Sequence, residues 1–539
     1  MTVSQASEPV VSPVPENVAP SAEETQQTVS TGGLTAWCWT VILFVVFAMM
    51  AGAKYLTLHT TFLDLGLYLN RVFLVAEGQW QVALSGHAQP VLWLLALLHK
   101  VVTPDRVPLA LLALQALMIA LPLRWLWKEW GPLVAVAYAL YFPIWYNNLF
   151  DFHPDHLVIP LLFAFFLFER KEKYSAACFA AILLCGIKEP YALQTAACGL
   201  YLALVRKQWK AGFCLMGVGL GYFIIALQII LPMYTLGDRL GPNTQAFSWL
   251  GKDMFGVVET LFTNPSNWID EIVNHSGKET YLLVVFGCLG FLSLLSPAPL
   301  IVALPIIFLA LLSRNPNHFG LFFHYTSGLV APMIVSFAGG IPVARKIGSW
   351  VDLKEPAFYI LVIAGLLIGH ARYAPSFLSW RFYQENDWSY HLSAYAPSQR
   401  DAAVRQALEE YIPATVPVSV QNNINTAYLS QRSHIFVFPR GVDSPVDVRG
   451  TDSTSQPGFI WADFVVLDLT RPLFWGDKTC KWRLGACEDG EVSAKFLKLL
   501  EETLKNYEIL YDRDRFLILR RTRYLESRKE LSSQFQAAI

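Results

Sequence analysis

The sequence predicts a polytopic α-helical membrane protein with about eleven transmembrane helices and a C-terminal extracytoplasmic α/β domain. Three observations carry this expectation: the composition, the recurrence of apolar runs, and a change of pattern near residue 374. The 539 residues are 54% hydrophobic and only 15% charged, whereas soluble domains carry about a quarter charged residues. From Thr35 to His370, apolar stretches of roughly 15–25 residues recur, each close to the length that crosses a bilayer. A formal net charge of −1 argues against nucleic acid or any other purely electrostatic partner.

Residues 1–34 differ from the rest. They contain no Lys, Arg or aromatic residue and are rich in Pro, Ser, Glu and Gln, so they read as a disordered cytoplasmic tail. They lack the basic start of a secretory signal, and the first apolar segment is therefore expected to stay as an anchor. Candidate spans follow at 35–56, 106–127, 131–149, 155–169, 174–188, 190–206, 210–233, 281–296, 298–313, 320–343 and 356–371. Segment 88–103, "AQPVLWLLALLHKVVT", is short and holds Pro90 and Lys100. It fits a re-entrant or interfacial helix as well as a span.

The basic loops set the orientation. "ERKEK" (169–173), "RKQWK" (206–210), "ARK" (344–346), Arg124 and Lys128 belong in the cytoplasm by the positive-inside rule. That parity holds only if 88–103 does not cross, or crosses twice. It places the N-terminus inside and the domain 374–539 outside. The transmembrane domain is then 35–373, with a first extracytoplasmic loop at 57–105. From Ala374 onward, "VPVSVQNN", "HIFVFP", "ADFVVLDL" and "FLILRR" alternate with the helical patterns "SQRDAAVRQALEEYI" and "SAKFLKLLEETLKNY". Cys480 and Cys487 lie in the polar stretch "DKTCKWRLGACEDG" with no nearby histidine. A disulfide is the expectation there, and it needs an oxidising compartment. No phosphate-binding glycine loop and no internal repeat is present.

With that orientation the unusual polar residues share the extracytoplasmic face. Asp64, in "TTFLDLGLYLNRVF", could accept a proton, hold a divalent cation or cap a helix. His87 stands at the entrance of segment 88–103. "FDFHPDH" brings Asp151, His153, Asp155 and His156 to a helix start marked by Pro154, a place that favours anions. Asp151 could join a metal site there, and the histidines could add charge to a bound phosphate; the bland alternative is a satisfied helix end. Lys188 and Glu189 in "IKEP" lie between two short spans, where charges are costly and are paired or functional. His324 and Tyr325 open another span, as anchors or as site residues; His318, Asp238 and Arg239 are weaker candidates.

The ordered motifs "FLDLGLYLNRVFLVAEG", "GHAQPVLWLLALLH", "NLFDFHPDHLVIPLL", "GIKEPYAL" and "FFHYTSGLVAP" resemble a bacterial membrane family, domain of unknown function 2079, grouped with the GT-C glycosyltransferases. The resemblance covers about residues 60–345; one departure is Pro190, where members often carry an acid. It implies a GT-C-like fold in the bacterial inner membrane. It also implies transfer of a sugar from a polyprenyl-phosphate-linked donor to a glycan, lipid or protein acceptor on the extracytoplasmic face. Asp64 matches the acidic residue of the first extracytoplasmic loop, as base or as ligand of Mg or Mn with Asp151, and segment 88–103 matches a juxtamembrane helix. His87, Asp151, His153, Asp155, His156, Lys188, Glu189, His324 and Tyr325 are then expected around the substrate. Two other classes compete: a transporter or flippase of a lipid-linked saccharide, and a non-catalytic membrane subunit. A transporter needs polar groups near the midplane, and the sequence places few there.

Overall fold

A computed structural model describes residues 22–234, 246–252, 254–384, 389–424, 427–447, 459–471, 482–483, 486–487 and 494–522. Cys480, Asp238 and Arg239 lie outside the described residues, as does the side chain of Cys487, so the expected disulfide falls outside them too.

Among the described residues, five helices are long and apolar enough to cross a membrane: Gly33–Leu56, Pro104–Glu129, Trp209–Tyr234, His324–Ser349 and Glu355–Tyr373. They coincide with five of the expected spans. The other six expected spans hold only shorter helices, and in four of them, 131–149, 155–169, 190–206 and 298–313, proline sets the helix starts. Pro132, Pro143, Pro154, Pro190, Pro299 and Pro305 each stand in the first turn of a short helix. A proline ring fixes the start of a helix and breaks whatever precedes it. Segment 131–149 thus becomes Pro132–Leu140 and Phe142–Leu149, bent at the extended Tyr141.

One further boundary departs from expectation. The first helix runs from Ala22 to Leu56, reaching back into the stretch whose composition predicts a disordered tail. Its leading "AEETQQ" is made mostly of good helix formers, which explains the extension. Segment 88–103 forms the short helices Val91–Leu95 and Leu98–Val101. An apolar stretch from Val91 to Val101 reaches only about 16 Å at 1.5 Å per residue, roughly half a bilayer. It cannot cross once, and Leu94, Leu97 and Val101 stay exposed along it.

Small residues draw some helices unusually close. A Cβ at Gly199 would stand 2.5 Å from the carbonyl oxygen of Gly212, and one at Gly219 would stand 2.5 Å from that of Ala192. Helices Pro190–Leu204 and Trp209–Ile225 therefore touch backbone to backbone, the contact that glycine permits in apolar surroundings.

The C-terminal part is a small sheet domain. Its five-stranded sheet has the order Ile435–Val437, Val418–Val420, Phe464–Asp468, Phe516–Arg521, Tyr507–Arg513. The first three strands are parallel and the last two join antiparallel. Helices Gln399–Tyr411 and Ala494–Leu504 are the two that the periodicity predicts; the first is closed by a capping box between Ser398 and Asp401. The domain does not stand apart. Leu58 and Phe62, from the loop after the first span, are buried in its core beside Val418, Val420, Phe464 and Ile518.

Candidate functional site

Four separate chain segments meet at one polar cluster: residues 61–71, 150–157, 188–191 and 324–325. The first holds a π-helix, Phe62–Gly66, a rare turn type that is frequent at functional positions. Asp64 lies inside it. Thr61, not Asp64, takes the N-cap place, and its side chain makes no capping bond. Asp64 is therefore not the N-cap: it stands in the first turn, and its carboxylate reaches back to the N-cap residue. Asp64 Oδ2 accepts from Thr61 Oγ1 at 2.5 Å, and Asp64 Oδ1 lies 2.9 Å from His153 Nε2.

Asp151 closes the arrangement from the other side. Its Oδ2 accepts from the Thr61 amide at 2.8 Å and lies 3.0 Å from Thr61 Oγ1. One hydroxyl proton thus stands between two carboxylates, and it can be donated to only one of them. Asp151 has a φ of 145°, a conformation that costs a non-glycine residue on the order of 1–3 kcal/mol. Gln115, from the second long helix, holds that backbone in place. Its Nε2 donates to the carbonyls of Asn148 and Asp151, both at 2.9 Å, and its Oε1 accepts from the His153 amide at 3.1 Å.

Burial pushes the Asp151 carboxyl up to about 8; Lys54 opposes this and the charge of Asp64 adds to it. Protonated Asp151 can donate to Thr61 Oγ1, which in turn donates to Asp64, so the neutral form completes the chain. The sign follows. A carboxyl raised on folding adds stability that is complete below its unfolded value, near pH 4, and declines as pH rises through about 8. Thermal unfolding of the purified protein should show a melting temperature that falls between about pH 5 and 8 and levels off above. Asp151→Asn, which cannot ionise, should flatten that slope; an unchanged slope would refute the assignment.

His153 and His324 stack face to face, with ring centroids 3.6 Å apart and planes within 16°. Both Nδ1 atoms are buried without a hydrogen-bond partner. His324 is fixed from behind: Ser327 Oγ lies 2.7 Å from its carbonyl and also within reach of Asn147 Oδ1, and its one proton serves either acceptor. Tyr325 packs against it at 4.3 Å, near enough for Lys188, Asp64 and Asp155 to act on it electrostatically. Lys188 Nζ is 3.9 Å from Asp155 Oδ1, which accepts from the Tyr191 hydroxyl at 2.6 Å. At 3.9 Å the ammonium and carboxylate attract without a hydrogen bond, and Asp155 Oδ2 has no hydrogen-bond partner.

His87 and Glu189 form a neighbouring pair rather than part of this cluster. His87 Nδ1 lies 2.7 Å from Glu189 Oε1, and the Ala88 amide donates to Glu189 Oε2 at 3.2 Å. Burial lowers the affinity of His87 for a proton. Burial also pushes Glu189 up, yet His87 and Lys188 outweigh it and hold the carboxyl below its ordinary range. Lys188 and Glu189 thus pair with different partners, not with each other. His156 turns its Nδ1 to the His153 carbonyl and its ring to Phe152, so it supports the turn. His318 reaches the rim through an edge contact with Tyr325 at 4.8 Å.

Thr61, Gln115, Tyr191 and Lys54 were not singled out by sequence reasoning. Lys54 is buried at the end of the first span, donating to the Leu149 carbonyl at 2.6 Å and lying 3.3 Å from Ser389 Oγ. A lysine and a glutamine inside apolar helices are visible in sequence as costly groups needing partners. Thr61 and Tyr191 carry no such mark.

Among the described residues, no three His, Cys, Asp or Glu side chains are grouped as metal ligands. Asp64 and Asp151 nevertheless fit a magnesium-like cation, which commonly takes one or two protein carboxylates and fills the rest with phosphate and water. Asp151 Oδ1, buried and without a hydrogen-bond partner, is the free ligand atom.

The helices, the buried charged cluster and the sheet domain docked on it define a multi-pass membrane protein. The chain belongs to the family described as "Predicted membrane protein (DUF2079)", whose model matches residues 54–482. None of the curated proteins matches the chain.

Proposed function

We propose that this protein is a GT-C-type glycosyltransferase of the bacterial inner membrane, moving a sugar from a polyprenyl-phosphate donor to an acceptor on the extracytoplasmic face. The observation that carries this reading is the meeting of Asp64, Asp151, His153, Lys188 and His324 from four distant segments. In the reaction, an acceptor hydroxyl attacks the anomeric carbon and a new C–O bond forms. The bond from that carbon to the phosphate oxygen breaks, and the polyprenyl phosphate leaves with the electron pair. Asp64 takes the hydroxyl proton, held in place by Thr61 and His153. Lys188, whose ammonium makes no hydrogen bond to Asp155, is free to offset the leaving phosphate. A divalent cation held by Asp64 and Asp151 would supply further charge stabilisation there.

The short exposed helix Val91–Val101 suits a juxtamembrane position beside this cluster, where a lipid tail would arrive. The six segments built from short helices complete the eleven crossings of this reading as broken spans packed within protein. Mass spectrometry of envelope glycans in a deletion strain tests the proposal. A missing sugar, restored by the intact gene, is the expected result; unchanged glycans and glycolipids would sink it.

Orientation gives two further tests. Cysteine labelling after Arg372 should report the sheet domain outside the cytoplasm; a cytoplasmic signal would divide the cluster from its donor. Mass mapping of non-reduced protein should find Cys480 joined to Cys487. Free thiols at both positions would remove that support for an oxidising compartment.

A further inference from the structure

Thr61 occupies the N-cap position of the π-helix that carries Asp64, but its hydroxyl is committed to the two carboxylates. The first amides of that helix therefore need other acceptors. Asp151 takes the Thr61 amide. The next two go to a single residue of the sheet domain: the Phe62 amide donates to the Asn422 carbonyl at 2.8 Å, and the Leu63 amide to Asn422 Oδ1 at 3.0 Å. Asn422 is buried and stands 359 residues further along the chain.

We infer that Asn422 is the cap of the Asp64 helix, supplied in place of a local one, and that the sheet domain thereby positions Asp64 for the reaction proposed above. The inference rests on that reading for its catalytic meaning but not for its geometry. Neighbouring contacts hold the same interface. Arg471 donates to the carbonyls of Leu58 and Thr57 while paired with Asp468 at 3.4 Å. Asn70 Nδ2 donates to the carbonyls of Ser430 and Arg432 at 2.7 and 2.8 Å. Leu58 and Phe62 fill the domain's core. The loop bearing Asp64 is thus fixed on one side by the domain and on the other by Asp151 and His153. Asn422 is a positioning residue and touches no reacting atom.

The test compares Asn422→Ala and Asn422→Asp in the full chain. The alanine variant loses the Leu63 bond and keeps the backbone bond to Phe62. Aspartate caps as well as asparagine does. Hydrogen exchange by mass spectrometry should show peptides within 57–66 exchanging about fivefold faster in the alanine variant, the equivalent of about 1 kcal/mol of lost capping. The aspartate variant should stay within about twofold of the natural protein. Peptides from the remote helix Trp209–Ile225 should not change in either, which excludes general unfolding. In the deletion strain, alanine should restore the glycan poorly and aspartate well. Unchanged exchange in the alanine variant, acceleration shared by the remote helix, or an aspartate variant as impaired as alanine would each overturn the inference. Full restoration by Asp64→Asn would instead overturn the transferase reading, whatever the exchange data show.

Discussion

Asp64→Asn should reduce sugar transfer by about a hundredfold to ten-thousandfold while leaving the protein folded, because it removes the proton acceptor and keeps the shape. The surroundings explain why the fold survives. Asparagine Oδ1 can still accept from Thr61 Oγ1, and its Nδ2 can donate to His153 Nε2 if the imidazole proton moves to Nδ1, an atom that has no other partner. The variant therefore keeps its contacts but inverts the His153 tautomer, and the amide cannot accept a proton. Expression, chromatographic behaviour and melting temperature should match the natural protein, while the deletion strain's glycan stays missing. Near-complete restoration by Asp64→Asn would remove the catalytic assignment.

Much of this arrangement was legible in the sequence, and the part that was not has physical causes. The long spans and the strands "VPVSV", "HIFVFP", "ADFVVLDL" and "FLILRR" were readable because their burial imposes a period or an unbroken apolar run. The broken spans were not, because a proline at a helix start and a proline inside a span look alike in one dimension. Residues Asp64, Asp151, His153, Lys188 and His324 stood out because charge within apolar surroundings needs a reason. Their partners did not. Glu189 neighbours Lys188 in sequence, yet it pairs with His87, and Lys188 pairs with Asp155. Thr61 and Asn422 are ordinary polar residues whose roles arise only when segments hundreds of positions apart are folded together.

The pairing of Lys188 with Asp155 gives the largest expected effect on stability and separates that effect from function. Both groups are buried, and Lys188 and the Tyr191 hydroxyl are the nearest partners of Asp155 among the described residues. Asp155→Ala would take its nearest carboxylate from a buried ammonium, leaving Glu189 as the more distant counter-charge; breaking a buried pair costs about 3–5 kcal/mol elsewhere. In detergent this should appear as a melting temperature lowered by several degrees or as failure to accumulate. Lys188→Met alone strands the carboxylate, but the Tyr191 hydroxyl still donates to it, so the loss should be smaller. The double variant Asp155→Ala with Lys188→Met removes both charges and should recover most of the stability of the worse single variant. Activity should not recover with it. If Lys188 offsets the leaving phosphate, every variant lacking it stays defective however well it folds. A double variant that is both stable and active would reduce the pair to an internal ion pair and remove Lys188 from the site. A double variant as unstable as Asp155→Ala alone would show instead that Asp155 acts through Tyr191, and that the ion pair contributes little to holding residues 155 and 188 together.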